Sequence, residues 1–367
     1  MSAPTRRNGG QPPTLRDIAK ASGCSLTTVS LALRDSPQIA VATRERVKQV
    51  AKSLGYTPNP LAAAFHSEIR KRQSRRYKAT VAWINDSPDA GVWRGHPMFI
   101  GARERCAELG YVLDEIHIDT SDHMHEPEYN AARFRKVLRS RGIHAAILPD
   151  LFRRTLAVED WGDLSVVLIG HFNEMLRVSK VTHGLQVPYH TVAPDNAWNL
   201  WLAFNQLEQR GCRRIGLTIG EWTNMSTGRS TFSRYLDMQQ SLPAARRVPP
   251  HILMPYSADA PQPVSSWKAE FLQWLDKQRP DAVICENHEV FEWVRERGRK
   301  VPGDLRIAHL DVDYEGPAVS GINRRRDRLG EAAVDLVTSH LQRNETGIPP
   351  FPKKMLIPGE WRKGTTA

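Results

Sequence analysis

From Ala79 onward, short apolar runs alternate with stretches of helical periodicity, and this alternation limits the body of the chain to α/β architectures. The runs 79–84, 111–118, 143–148 and 164–169 read as strands, and 98–109 and 129–141 as helices closed by Gly110 and Gly142. After a strand at 187–192 the rhythm restarts: helix 196–210, strand 214–219, helix 230–240, strand 252–255, helix 267–278, then strands 282–285 and 305–310. Two successive doubly wound units account for the restart better than one large sheet. Ligands of such sheets bind beyond the carboxyl ends of the strands. The residues just after the strands are therefore effector-site candidates: Asn85, Asp86, Asp150, His171, Trp222, Arg229, Asn287, His288 and Asp311.

The first 78 residues follow a different pattern. They carry 15 Lys or Arg against 4 Asp or Glu, the whole of the net +11, whereas 36 basic residues face 36 acidic ones in the remainder. A cationic head on a neutral body points to a polyanionic partner, most commonly nucleic acid, with a merely solvated basic tail as the alternative. Residue order decides between them. Thr14 is placed to cap a helix with Leu15, Ile18 and Ala19 on one face, ended by Gly23. Ser25 caps a second helix over 26–34, with Val29, Ala32 and Leu33 turned inward and Leu26, Thr27, Ser30, Leu31 and Arg34 outward. Thr43 is the expected N-cap of a third, whose stripe is Val47, Val50, Ala51 and Leu54 and whose stop is Gly55. Three short helices around one core, with a basic surface, form a helix-turn-helix unit whose second helix is the candidate to enter the major groove. Asn59-Pro60 then opens a hinge helix over 61–70, too short to be stable alone, followed by the basic linker Lys71, Arg72, Arg75, Arg76 and Lys78.

Four motifs in this head, Thr14-Leu15-Arg16-Asp17-Ile18-Ala19, Thr28-Val29-Ser30, Thr43-Arg44-Glu45-Arg46-Val47 and Leu54-Gly55-Tyr56-Thr57-Pro58-Asn59-Pro60, resemble in order and spacing the DNA-binding head of the lactose-repressor/galactose-repressor (LacI/GalR) family. The resemblance spans about 14–65. It implies a homodimeric, repressor-like protein that reads a pseudo-palindromic double-stranded DNA operator, with a ligand-sensing body that alters its grip. Leu31 stands where relatives commonly place a base-reading arginine. Leu26, Thr27 and Leu31 are thus candidates for contact with thymine methyls, and Ser25, Thr28, Ser30 and Arg34 for phosphates. For Leu31, packing against the hinge or the partner chain is an equal alternative. Thr14, Tyr56, Asn59, Leu61 and Ala62 complete the DNA-contact set. By register Phe65 takes the place of the leucine wedge with which the family's paired hinge helices open a central base step; the alternative is packing against its symmetry mate.

The resemblance extends to the body, with echoes at Asp195-Asn196, Gly211-Cys212-Arg213-Arg214-Ile215-Gly216, Pro280-Asp281-Ala282-Val283 and Leu329-Gly330-Glu331-Ala332-Ala333. The expected fold is an N-terminal all-α helix-turn-helix domain plus hinge helix, followed by an α/β two-lobed periplasmic-binding-protein-like sensor domain. The expected division is a disordered segment 1–13, a DNA-binding domain 14–58, hinge and linker 59–78, lobe one at about 79–192 and 323–347, and lobe two at about 193–322 and 348–364. Sugar-sensing relatives use an arginine near Arg229 and an Asn-Asp pair where this chain has Asn287-His288, so the histidine removes an acceptor for a hydroxyl pair and puts a standard monosaccharide effector in doubt. Trp83, Trp93 and Trp222 are either stacking platforms for a ligand ring or core.

Other chemistry lacks its local signatures. GxSxG, HExxH, Walker and GxGxxG motifs are all absent, so no enzyme activity and no cofactor are expected. His117, His123, His125 and Glu126 lack a second spaced cluster for a metal site. Cys24, Cys106, Cys212 and Cys285 are more than 70 residues apart and read as free thiols. The polar head and the lack of an 18-residue apolar run fit a soluble cytoplasmic protein without a membrane partner. The expected function is a sequence-specific transcriptional regulator, a repressor, modulated by a sugar or related metabolite; the alternative is a ligand-independent regulator whose lobes serve dimerisation. Replacing Phe65 with Ala should cost roughly 1 to 3 kcal/mol of operator affinity by fluorescence anisotropy, with non-specific binding retained. Unchanged affinity for specific DNA removes the wedge.

Overall fold

The computed structural model describes residues 15–33, 38–56, 79–85, 93–117, 131–149, 161–171, 188–253, 264–313 and 315–367. The chain divides into two compact units, a small N-terminal head and a body that begins at Ala79. Thr14, Arg34 and the whole hinge, with Asn59, Leu61, Ala62 and Phe65, lie outside the described residues, as do Asp86 and Asp150.

The head consists of α1 (Leu15–Ser22), α2 (Leu26–Leu33) and α3 (Val41–Ser53). Ile18, Val29, Ala32, Val47 and Ala51 close its core, one to two residues from each helix. Gly23 makes the turn between α1 and α2 at φ +66°, a left-handed conformation that a side chain would resist. Ser25 caps α2 as expected, its Oγ accepting from the Thr28 backbone N–H at 3.1 Å. Thr43 does not cap α3. The helix starts two residues earlier, with Ala40 at the N-cap and no side-chain cap bond, so Thr43 falls within the first turn. The apolar stripe that begins at Val47 sets where the helix must be, and a good capping residue inside it cannot move its start.

The body holds two six-stranded sheets. The first comprises β1 (Thr80–Asn85), β2 (Val112–His117), β3 (Ala145–Pro149), β4 (Ser165–Ile169) and β5 (His190–Pro194), the second β6 (Ile215–Gly220), β7 (His251–Leu253), β8 (Ala282–Cys285), β9 (Arg306–His309) and β10 (Gly321–Asn323). Near the end of the chain, β11 (Lys354–Ile357) joins the first and β12 (Glu360–Arg362) the second. The orders are β11-β5-β4-β3-β1-β2 and β12-β10-β9-β8-β6-β7, so both sheets are wound the same way. Every pairing is parallel except β10 with β12. The expected assignment of the whole of 348–364 to the second lobe is therefore corrected: Lys354–Ile357 pairs with β5 across residues 191–194 and belongs to the first.

Helices α4 (Pro97–Leu109), α5 (Ala131–Ser140), α6 (Asn196–Gln209), α7 (Glu221–Ser226), α8 (Ser230–Gln240), α9 (Val264–Gln278), α10 (Glu289–Glu296) and α11 (Arg326–Arg343) supply the outer layers. In the second lobe, Ile215, Leu217, Ile219 and Ile284 pack with Leu200, Phe204 and Leu207 of α6. On the opposite face Val283, Cys285 and Ile307 pack with Phe271, Leu275, Phe291 and Val294 of α9 and α10. Strands covered on both sides must be apolar throughout, which is why they read as continuous apolar runs. The chain passes between lobes three times among the described residues, from β5 to α6, from β10 to α11 and from β11 to β12. Trp83 is fully buried, edge-on to Trp93 and Phe99 at 5.4 Å each, and Trp93 is buried too, so both are core and not ligand platforms. No helix among the described residues is long and apolar enough to cross a membrane.

Helices α4 and α11 cross where two glycines meet backbone. A Cβ on Gly330 would lie 2.0 Å from the Met98 carbonyl oxygen, and one on Gly101 would lie 2.2 Å from that of Asp327. Arg105 of α4 pairs with Asp335 of α11 at 2.7 Å along the same contact. Overpacking such a contact costs about 1 to 3 kcal/mol. Urea denaturation of Gly330→Ala should show a loss of that size, while Gly316→Ala, where an added Cβ meets nothing within 4 Å, should be neutral. Equal stabilities would show that the helices need no close approach.

Candidate DNA interface and effector site

In the head, α2 is eight residues long and carries no acidic residue in its first turn and no basic one in its last. Ser25 is exposed, and its Oγ lies 2.8 Å from Thr28 Oγ1. Leu31 is half-buried and is not part of the head core, whereas Tyr56 packs partly against that core. Leu26, Thr27 and Ser30 are in α2, but their side chains lie outside the description. Arg46 of α3 reaches back to the turn before α2, its Nη2 donating to Cys24 Sγ at 3.4 Å. That hydrogen bond lowers the pKa of the thiol.

In the second lobe the carboxyl ends of β8, β9 and β10 converge on a cavity of about 290 Å³. Its wall is Glu286, Asn287, His288, Glu289, His309, Asp311 and Glu315. Beneath it Arg324 donates Nη2 to Glu286 Oε1 at 3.2 Å and Nε to the Leu310 carbonyl at 3.0 Å. Arg326 grips Asp311 with two parallel bonds, Nη1 to Oδ1 at 2.8 Å and Nη2 to Oδ2 at 2.6 Å, and also pairs with Asp313. Burial pushes the Asp311 carboxyl up, but the Arg326 hydrogen bonds and the Arg324 charge outweigh it and hold the pKa at about 2. Burial raises the Glu286 carboxyl, with Arg324 opposing. His309 Nδ1 lies 2.7 Å from the Asp311 carbonyl, and burial lowers its pKa.

From the first lobe, His96 caps α4 by accepting from Met98 N at 3.2 Å, which requires an unprotonated Nδ1. Burial, then the Arg326 charge, pull its pKa to about 4. Asn85 is buried at the end of β1, its Nδ2 donating to Glu115 Oε1 at 2.9 Å. His171 lies 3.1 Å from Asn196 Nδ2 and 3.4 Å from Lys354 Nζ. Among the described residues no three His, Cys, Asp or Glu side chains are grouped to hold a metal ion.

Against this geometry, residues 14–59 match the profile of bacterial regulatory proteins of the lacI family, and 204–366 that of the periplasmic binding protein-like domain. The chain belongs to the lacI family. It is 24% identical over 343 residues to the HTH-type transcriptional repressor CytR of Escherichia coli strain K12, covering 91% of each chain. With the repressor PurR of Haemophilus influenzae strain Rd it shares 21% over 355 residues, covering 94% of this chain and 96% of that one. A transcriptional regulator CelR-cellobiose complex shares the fold at 18% identity with a TM-score of 0.52, covering 97% of this chain and 100% of that one.

Of the effector candidates expected in this lacI-family chain, the structure brings Asn287, His288 and Asp311 onto one cavity. It does not place Asn85, His171 or Arg229 on that wall; Arg229 is ion-paired with Glu221 at 2.8 Å and sits at φ +58°. The side chain of Trp222 lies outside the description. Sequence reasoning missed Glu286, His309 and Glu315. The signal was available for the first two, since each stands at or one residue past the end of a strand, but neither breaks the apolar pattern enough to draw notice. The residues 324–326, read as surface charge or a cleft contact, are instead the cationic floor of the cavity and the crossover into α11.

Asp311 supplies a pH test. Its folded pKa lies below the ordinary 3.8, so the stabilisation is complete above about pH 4 and is lost as pH falls through about 2. Asp311→Asn should therefore cost about 2 kcal/mol in urea melts at pH 7, and the difference from the parent chain should shrink between pH 4 and pH 2. A pH-independent difference would mean that the Arg326 clasp contributes nothing electrostatic.

Proposed function

We propose that this chain is a sequence-specific transcriptional repressor that binds a pseudo-palindromic operator as a homodimer, with its DNA affinity set by a small molecule held at the carboxyl ends of the second-lobe strands. The observation that carries the reading is the head: a three-helix unit matching the lacI family over 14–59, within the stretch that holds the whole excess positive charge. The capped α2 is the element that reads bases, with Leu26, Thr27 and Leu31 toward thymine methyls and Ser25, Thr28, Ser30 and Arg34 toward phosphates. Thr14, Tyr56, Asn59, Leu61 and Ala62 add contacts, and Phe65 wedges the central step.

The likeness to repressors, and not to enzymes, supports the same reading, as does a cavity wall without a metal cluster or nucleophile among the described residues. The effector acts by linkage: it changes DNA affinity only by the difference in its own affinity for the operator-bound and free states. Selection of bound duplexes from a random pool should return an inverted repeat with a pliable TA or CA/TG centre. Affinity for it should fall steeply between 50 and 200 mM salt, with a slope set by the phosphates neutralised. An equal, salt-sensitive grip on every duplex offered would overturn the proposal.

A further inference from the structure

The cavity wall contains four carboxylates, two histidines and one asparagine, and no lysine or arginine. Arg324 and Arg326 come only from beneath, where they are engaged by Glu286, Asp311 and Asp313. Glu286 is the informative member. Its side chain is 8% exposed and follows the central strand β8, where the strand order of the second sheet reverses. Such a reversal is where doubly wound sheets hold their ligands. One oxygen, Oε1, takes the Arg324 bond; Oε2 is buried and has no hydrogen-bond partner among the described residues. His309 repeats the pattern on the adjoining strand. With Nδ1 donating to the Asp311 carbonyl, its buried Nε2 is a lone-pair acceptor, and it too has no partner. Two buried acceptors without donors on one cavity wall cost free energy in the empty protein. A ligand that brings donors removes that cost.

We infer that the effector of this cleft is a monosaccharide-sized organic cation, an amino sugar, whose ammonium group is held by Glu286 and His309. The inference rests on the effector reading of the cleft given above. The ammonium offers three donors and a positive charge, answering both the unmatched acceptors and the carboxylate excess. An inorganic cation is disfavoured because no three ligating side chains are grouped to hold one among the described residues. A cavity of about 290 Å³ lies at the lower end of the range for small-molecule sites, about 300–1,000 Å³, which suits a single ring. The exposed His288 and the neighbouring Asn287 and Glu289 stand at its rim for ring hydroxyls. Substitution of His for the usual aspartate in the Asn287-His288 pair fits the same reading, because the acceptor that this removes is replaced by Glu286 next door.

The test is calorimetric titration of the full-length protein with D-glucosamine and D-galactosamine, their neutral parents glucose and galactose, and glucose 6-phosphate. An amino sugar should bind at least about tenfold more tightly than its parent, and Glu286→Gln, which keeps the shape and removes the charge, should abolish the preference. Should that variant fail to fold, Glu315→Gln on the same wall should reduce the preference. If a neutral sugar or the phosphate binds as well as or better than the amines, the cation assignment falls while the effector reading stands. If none of the five binds and none alters operator affinity, both fall.

Discussion

The ion-paired floor of the second-lobe cavity is the constraint on which the body's chemistry depends. Parallel strands wound alike bring every carboxyl end of a sheet to one side, and here those ends carry Glu286, Asp311 and Asp313. Three carboxylates cannot be buried so close without compensation. The compensation comes from consecutive residues of a single segment, 324–326, as the chain leaves β10 for α11. The third member, Arg325, adopts φ +51° and pairs with Asp327 and Glu360, so the strained backbone of the crossover is fixed by salt bridges on both sides. Binding chemistry and an interlobe crossover therefore share the same guanidinium groups.

That sharing gives the cleft a direct route to conformation. Asp311 lines the cavity and is held by Arg326, and Arg326 opens α11, the helix that packs against α4 through Gly330 and Gly101. His96, the cap of α4, feels the Arg326 charge. A ligand that draws on the Asp311 carboxylate changes the load on Arg326, and the change falls on helices whose backbones touch without an intervening side chain. Close-packed contacts of this kind shift between discrete arrangements more readily than they deform. The glycine crossing is thus the element through which an effector can bias the first lobe.

The sequence exposed the elements with strong periodicity and hid those that rely on partners. Ala282–Cys285 and Ser230–Gln240 were placed to the residue, because continuous β-branched runs and a clean helical stripe leave little choice. β12 and α10 were missed: the first is three residues paired antiparallel to β10, and the second, Glu289–Glu296, gains its definition from burying Val290, Phe291, Trp293 and Val294 against α9. Trp83 illustrates a related limit, since aromatic size suits core and platform equally until the neighbours, here Trp93 and Phe99, are known. At the site, Asn287, His288 and Asp311 were legible because strand-end polar residues stand out against apolar runs. His309 was not, because only its burial beside Asp311 distinguishes it from a strand residue facing solvent.

Charge is distributed to serve two opposite tasks. The body's 36 basic and 36 acidic side chains cancel overall, so the acidic cavity is a local arrangement and not a consequence of composition. Local excess matters more than net charge in a concave site, where low-dielectric walls focus the field and solvent screening is weak. The cationic head attracts a polyanion by long-range, salt-sensitive forces, whereas the cavity repels phosphate and favours cations at close range. A single charged metabolite can therefore occupy the body without competing with DNA for the head, and DNA phosphates cannot occupy the cavity. Regulation through such a chain must run by linkage between two sites that never share a ligand, and the cost of keeping Glu286 buried and half-satisfied is what makes the empty state responsive to an occupant.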